Sequence, residues 1–88
     1  MIVQEFIIKN RLGLHARASA KLVQTANRFR SEVFISKEGE EVNGKSIMGI
    51  LMLAAAVGTK IEVRVSGEDA DAAFAAISQL IEDKFGED

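Results

Sequence analysis

Three features of the sequence predict an α+β fold in which helices pack on one face of an antiparallel sheet. Ile61, Val63 and Val65 alternate with Glu62 and Arg64, the pattern of a strand buried on one side only. Glu38-Gly39 separates two short β-rich stretches, as a tight hairpin turn would. Two longer stretches, one after Ala16 and one after Ala70, repeat their apolar residues at helical spacing.

Taken in order, residues 2–8 are β-branched and apolar and read as a first strand. Asn10 to Gly13 is turn material. A helix follows from about Ala16 to Asn27, with Ser19, Leu22, Val23 and Ala26 on one face and Lys21, Gln24 and Arg28 largely off it. Asn27 is expected to end it in the left-handed conformation. Glu32 to Lys37 is a second strand, and Glu40 to Val42 a short third. Ile47 to Leu53 forms a brief segment apolar on nearly all sides. Gly58-Thr59 turns the chain into the strand Lys60 to Val65. Gly67-Glu68-Asp69 is expected to cap a last helix, whose buried stripe runs through Ala70, Phe74, Ile77, Leu80 or Ile81, and Phe85. The order is β-α-β-β-α-β-α, expected as a single domain over residues 1–88, with no linker or repeat.

Composition narrows the functional classes. A chain of 88 residues with 48% hydrophobic content and no proline suits a small regular domain. With no cysteine and one histidine, a disulfide framework, a thiol nucleophile and a structural zinc site are all disfavoured. The longest apolar run, Ile47 to Val57, is 11 residues, well short of the roughly 20 needed to cross a bilayer. The N-terminus lacks the pattern of a signal peptide, so a cytoplasmic protein is expected. A net charge of −2 argues against nucleic-acid binding. The charge is uneven, however. Residues 1–45 carry eight Lys/Arg against five Asp/Glu (+3), and residues 46–88 carry three against eight (−5). Arg11, Arg17, Lys21 and Lys45 could therefore form a basic face around His15, suited to phosphate or to an acidic partner.

His15 stands two residues after Gly13 and at the mouth of the first helix. There, several backbone N–H groups have no intrahelical partner, and together with the helix dipole they favour an attached anion. The same field disfavours a protonated imidazole and leaves a neutral ring nitrogen free as a nucleophile. Arg17, two residues on, supplies a permanent cation that can fork onto phosphate oxygens. No acidic residue lies close in sequence, so a covalent phosphohistidine is expected in preference to a metal-bound phosphate, with no metal and no cofactor. Against this stands the plain alternative that a lone histidine is incidental.

Gly39 to Ser46 also satisfies the P-loop pattern G-x-x-x-x-G-K-[ST]. Glu40 and Glu41 would lie where nucleotide phosphates belong, and the chain has too few strands for the parallel sheet such a site needs. ATP hydrolysis is therefore not expected.

Gly13-Leu14-His15-Ala16-Arg17-Ala18-Ser19 resembles the active-site motif of the HPr family, the histidine-containing phosphocarriers of the bacterial phosphotransferase system. Val42-Asn43-Gly44-Lys45-Ser46-Ile47-Met48-Gly49 resembles that family's regulatory-site motif. The resemblance covers the whole chain. It implies an open-faced β-sandwich, a four-stranded antiparallel sheet under three helices. It also implies that enzyme I, phosphorylated from phosphoenolpyruvate, loads Nδ1 of His15, that Arg17 steadies the phosphate, and that an enzyme IIA domain receives it. On this basis the protein is a carrier and not a self-contained enzyme. Ala18 departs from the proline found in many members, which implies a slightly looser first turn.

Ser46 reads first as a helix N-cap. By the resemblance it is also a regulatory site, phosphorylated in some bacteria by HPr kinase/phosphorylase. Ile47, Met48, Leu51 and Met52 are expected to divide between core and an adaptable docking patch, flanked by Lys21 and Lys45. Two other readings remain at this point: a nitrogen-branch regulatory carrier with the same chemistry, and a non-covalent interaction module. A monomer is the simpler expectation for a diffusing carrier.

Overall fold

The computed structural model describes residues 1–87. Its elements are β1 (Ile2–Ile7), α1 (Ala16–Ala26), β2 (Glu32–Lys37), β3 (Glu40–Asn43), α2 (Ile47–Leu53), β4 (Lys60–Ser66) and α3 (Ala70–Glu82), followed by a short helical turn at Lys84–Gly86. The order expected from the sequence is the order observed. The four strands form one sheet in the order β1-β4-β2-β3, and every neighbouring pair is antiparallel.

Register follows from the alternation in β4. Ile61 lies opposite Phe6, Val63 between Gln4 and Ile35, and Val65 between Ile2 and Val33. This side of the sheet packs against Ala18, Leu22 and Ala26 of α1, Ile50 and Leu53 of α2, and Ala73, Ile77 and Ile81 of α3. The other side faces water. There Arg64 lies over the Phe34 ring at 5.2 Å and pairs with Glu41 at 2.7 Å. The β2–β3 hairpin turns through Glu38 (φ 51°) and Gly39 (φ 84°), the positive angles that a two-residue turn requires.

Four expectations are corrected, each at an element end. β1 ends at Ile7, although Ile8 continues inward, fully buried and bonded to Thr59 and Gly58. Asn27 is right-handed (φ −70°, ψ −10°), because α1 unwinds through further i→i−3 bonds from Arg28 to Thr25 and Phe29 to Ala26. The left-handed C-cap occurs at Ala54 (φ 51°) after α2, where the Lys37 ammonium donates to the Leu53 carbonyl at 3.0 Å. Asp69 occupies the N-cap position of α3 but makes no side-chain cap. Its carboxylate instead accepts the N–H groups of Arg30 and Ser31 and the Ser31 hydroxyl, tying α3 to the approach to β2.

Phe85 supplies the last correction. It is buried, but not on the α3 stripe, which runs through Ala70, Ala73, Ile77 and Ile81 with Phe74 partly covered. Lys84 (φ 57°), Phe85 (φ 56°) and Gly86 (φ 74°) are all left-handed, so the chain reverses after α3 and returns toward the start of α1. No helix of the described residues is long and apolar enough to cross a membrane.

Candidate functional site at the start of the first helix

The loop before α1 is pinned from several directions. Asn10 is fully buried, and its amide donates to the Gly13 carbonyl at 2.7 Å. Leu14, also buried, donates its N–H to Ala55 at 2.8 Å, and its carbonyl accepts the Ser19 hydroxyl at 3.1 Å. Gly13 is required here on two counts. Its φ is +67°, and a Cβ would stand 2.5 Å from the Ala55 carbonyl oxygen.

His15 follows this rigid loop as the N-cap of α1, in extended backbone (φ −79°, ψ −176°). Its carbonyl accepts the Ser19 N–H at 2.8 Å, but its side chain makes no capping bond. The first-turn N–H groups of Ala16, Arg17 and Ala18 therefore have no intrahelical acceptor. The ring is 29% exposed at the edge of an open cleft of about 620 Å³, which Arg11 and Arg17 also line. Among the described residues neither guanidinium is held in an ion pair.

The fourth ionisable group of the cleft comes from the far end of the chain. Glu87 places one carboxylate oxygen 2.7 Å from His15 Nε2, and its other oxygen accepts the Asn10 amide at 3.1 Å. Partial burial pushes the Glu87 carboxyl up. The hydrogen bonds from Asn10 and His15 and the electrostatic pull of the His15 ring and the Lys21 ammonium outweigh it and hold the group below the usual carboxylate range. The tail that carries Glu87 is fixed by the buried Phe85 ring and by Lys21, whose ammonium donates to the Phe85 carbonyl at 2.6 Å.

The second motif surrounds the start of α2. The Ser46 hydroxyl oxygen accepts the Gly49 N–H at 3.0 Å, a true N-cap. Gly49 lets α2 lie close to β3, since a Cβ there would stand 3.1 Å from Val42. Ile50 and Leu53 face the core, Leu51 is half-buried, and Ile47, Met48 and Met52 are exposed. The described residues form no phosphate cradle here. Glu40 to Asn43 is strand β3, and the Lys45 ammonium donates to the Phe29 carbonyl at 2.8 Å.

Residues 2–83 match the family described as "PTS HPr component phosphorylation site". The phosphocarrier protein HPr of Xylella fastidiosa (strain 9a5c) is 54% identical over 88 residues, spanning 100% of this chain and 99% of the relative. The chain belongs to the HPr family. The phosphocarrier protein HPr of Neisseria meningitidis (serogroup B strain) is likewise 54% identical over 87 residues, spanning 99% and 98% of the two chains. The crystal structure of HPr-C-His from Thermoanaerobacter tengcongensis is similar with a TM-score of 0.96 at 43% identity, covering 100% of this chain and 99% of that one. The four-stranded sheet under three helices is thus the HPr fold, and the match supports the resemblance drawn from the two motifs.

Within that fold, His15 and Arg17 share one cleft with Arg11. Lys21 lies beside it with its ammonium spent on the tail, and Lys45 is held at the end of α1 instead of in the cleft. Glu87 and Asn10 are the residues that sequence reasoning missed. Glu87 stands 72 positions from His15, so no local spacing could reveal it. Because of this carboxylate, the helix terminus is not the only field acting on the ring.

Proposed function

We propose that the protein is a phosphoryl carrier of the phosphotransferase system, loaded on His15 by phospho-enzyme I and emptied by an enzyme IIA domain. The observation that carries this is the placement of His15, an uncapped helix start with its ring in a cleft beside Arg17. The first-turn N–H groups and the Arg17 guanidinium suit the oxygens of a phosphoryl group on the ring. Glu87 against Nε2 supports Nδ1 as the acceptor atom, because a proton held on Nε2 leaves the lone pair on Nδ1. The protein then acts as a diffusing cytoplasmic monomer and an intermediate in transfer, with the chemistry completed by its partners.

The exposed Ile47, Met48 and Met52, with half-buried Leu51, supply an apolar docking patch on α2, and Lys21 and Lys45 add positive charge to the partner-facing surface. Ser46 lies at its edge. Phosphorylation there by HPr kinase/phosphorylase would add about −1.5 to −2 charge to the patch and repel an acidic partner.

Incubation with phosphoenolpyruvate and enzyme I should yield an acid-labile, base-stable phosphate on the wild-type protein and none on His15→Ala. Equal labelling of His15→Ala would overturn the carrier function.

A further inference from the structure

We propose that Arg11 is a second phosphate-binding guanidinium of the cleft, acting with Arg17 on the phosphoryl group that His15 carries. This deepens the carrier function and rests on it.

Arg11 sits on a firmly held turn. The Gly13 N–H donates to the Asn10 carbonyl at 3.1 Å, closing a four-residue turn with Arg11 and Leu12 at its tip. Ahead of the turn, Ile8 and Asn10 are fully buried, and Ile8 is bonded through its backbone to Thr59 at 3.0 Å and Gly58 at 2.8 Å. Behind it, Gly13 lies against Ala55, and the Leu14 N–H donates to the Ala55 carbonyl at 2.8 Å. With its base fixed, the turn presents an exposed Arg11 to the cleft that His15 and Arg17 also line. The two guanidiniums arrive from separate elements, one from the turn before His15 and one from the first turn of α1.

Neither cation has an internal use. The chain carries 13 acidic residues, yet among the described residues the ion pairs join Lys9 to Glu82, His15 to Glu87, Lys60 to Glu5 and Arg64 to Glu41. Lys21 and Lys45, by contrast, each donate to a backbone carbonyl. The carboxylate that lines the cleft, Glu87, is held by His15 and Asn10. Two like charges sharing one cleft repel each other, and an anion entering between them relieves that repulsion.

The charge of the transferred group fits two guanidiniums better than one. The Nδ1 lone pair forms the N–P bond as the bond from phosphorus to the enzyme I donor breaks, and that bond's electron pair stays on the donor. The Nε2 proton stays in place, so the ring gains a positive charge while the phosphoryl group carries about two negative ones. Before loading, Arg11 and Arg17 outweigh Glu87 by one charge. After loading, the two guanidiniums and the cationic ring balance the phosphoryl group and Glu87. Without Arg11 the loaded cleft keeps a net negative charge, which opposes loading.

The test uses the whole protein with Arg11→Ala, Arg11→Lys and, for scale, Arg17→Ala. Each is loaded from phosphoenolpyruvate and enzyme I, enzyme I is removed, and phosphorus-31 NMR follows the titration of the phosphoryl group. In Arg11→Ala its second ionisation should move up by about 0.5 in pH, because a nearby cation favours the dianion, and high salt should shrink the difference. Arg11→Lys, which keeps the charge, should return most of the shift. Loading at saturating enzyme I should slow about three- to tenfold in Arg11→Ala, less than in Arg17→Ala. A wild-type phosphoryl titration in Arg11→Ala would overturn the proposal, and a raised KM for enzyme I beside it would assign the guanidinium to the partner's surface instead. If the wild type takes no phosphate, the carrier function fails. Titration of the unloaded protein with inorganic phosphate then decides Arg11 by itself: weaker binding in Arg11→Ala keeps the two-cation site, and equal binding removes it.

Discussion

His15 and Ser46 both stand one residue before a helix in extended backbone, yet their side chains are used in opposite ways. The Ser46 hydroxyl turns back onto the Gly49 N–H and closes its own helix start. The His15 ring makes no such bond and is drawn sideways to Glu87. The first-turn N–H groups of α1 are therefore left for something else, whereas those of α2 are partly spent. A self-capped start gains stability and offers less to an anion. An uncapped start forgoes about 1 kcal/mol of capping and keeps its donors open. The same sequence position, N-cap, thus serves stability in one helix and leaves a site for phosphate in the other.

The largest expected effect that would sharpen this contrast is at Arg17, which lines the open start and is exposed. Arg17→Ala should lower the rate of loading from enzyme I about 10- to 100-fold while leaving the fold intact. Single-turnover labelling measures it. An unchanged rate would mean that the uncapped N–H groups suffice without the guanidinium.

A paired stability measurement comes next in size. Ser46→Ala should cost about 1 kcal/mol, because it strips the bond to Gly49 from a helix of only seven residues. At position 15 a cap can instead be added. His15→Asn should be more stable than His15→Ala by about 0.5–1 kcal/mol, since asparagine installs the cap the histidine leaves out, and it should carry no phosphate. Urea unfolding of the wild type and the three variants decides the matter. If Ser46→Ala costs nothing, or if His15→Asn is no more stable than His15→Ala, the two helix starts do not differ as described.

What could be read from the sequence was what short-range spacing encodes. The alternation through β4, the Glu38-Gly39 hairpin and the meeting of His15 with Arg17 each involve residues within a few positions of one another. Apart from Asn27, misreadings fell where a distant partner decides the outcome. Asp69 looked like a cap because acidic residues suit helix starts, but the Ser31 loop, 38 positions earlier, takes its carboxylate. Phe85 fitted the helical stripe by spacing, but a left-handed turn delivers it to the core from outside the helix. Glu87 gave no local signal, and only the folded chain brings it to His15.

Asp69 adds a third kind of helix start, and the smallest predicted effect. Its carboxyl is held below the usual range, first by the Ser31 hydroxyl and then by the Arg30 N–H, with a weaker Ser31 N–H, against a modest opposing effect of burial. A depressed carboxyl stabilises the fold fully above its unfolded value, about pH 4, and that contribution disappears as the pH falls through the folded value. Glu87 has the same sign, so both should weaken the protein in acid. Asp69→Asn removes one of the two. Near neutral pH the variant should be less stable than the wild type, and the gap should narrow as urea midpoints are followed below about pH 4. A gap that stays constant through the acid range would mean the carboxylate charge contributes nothing, and that Asp69 joins α3 to β2 by shape and neutral hydrogen bonds alone.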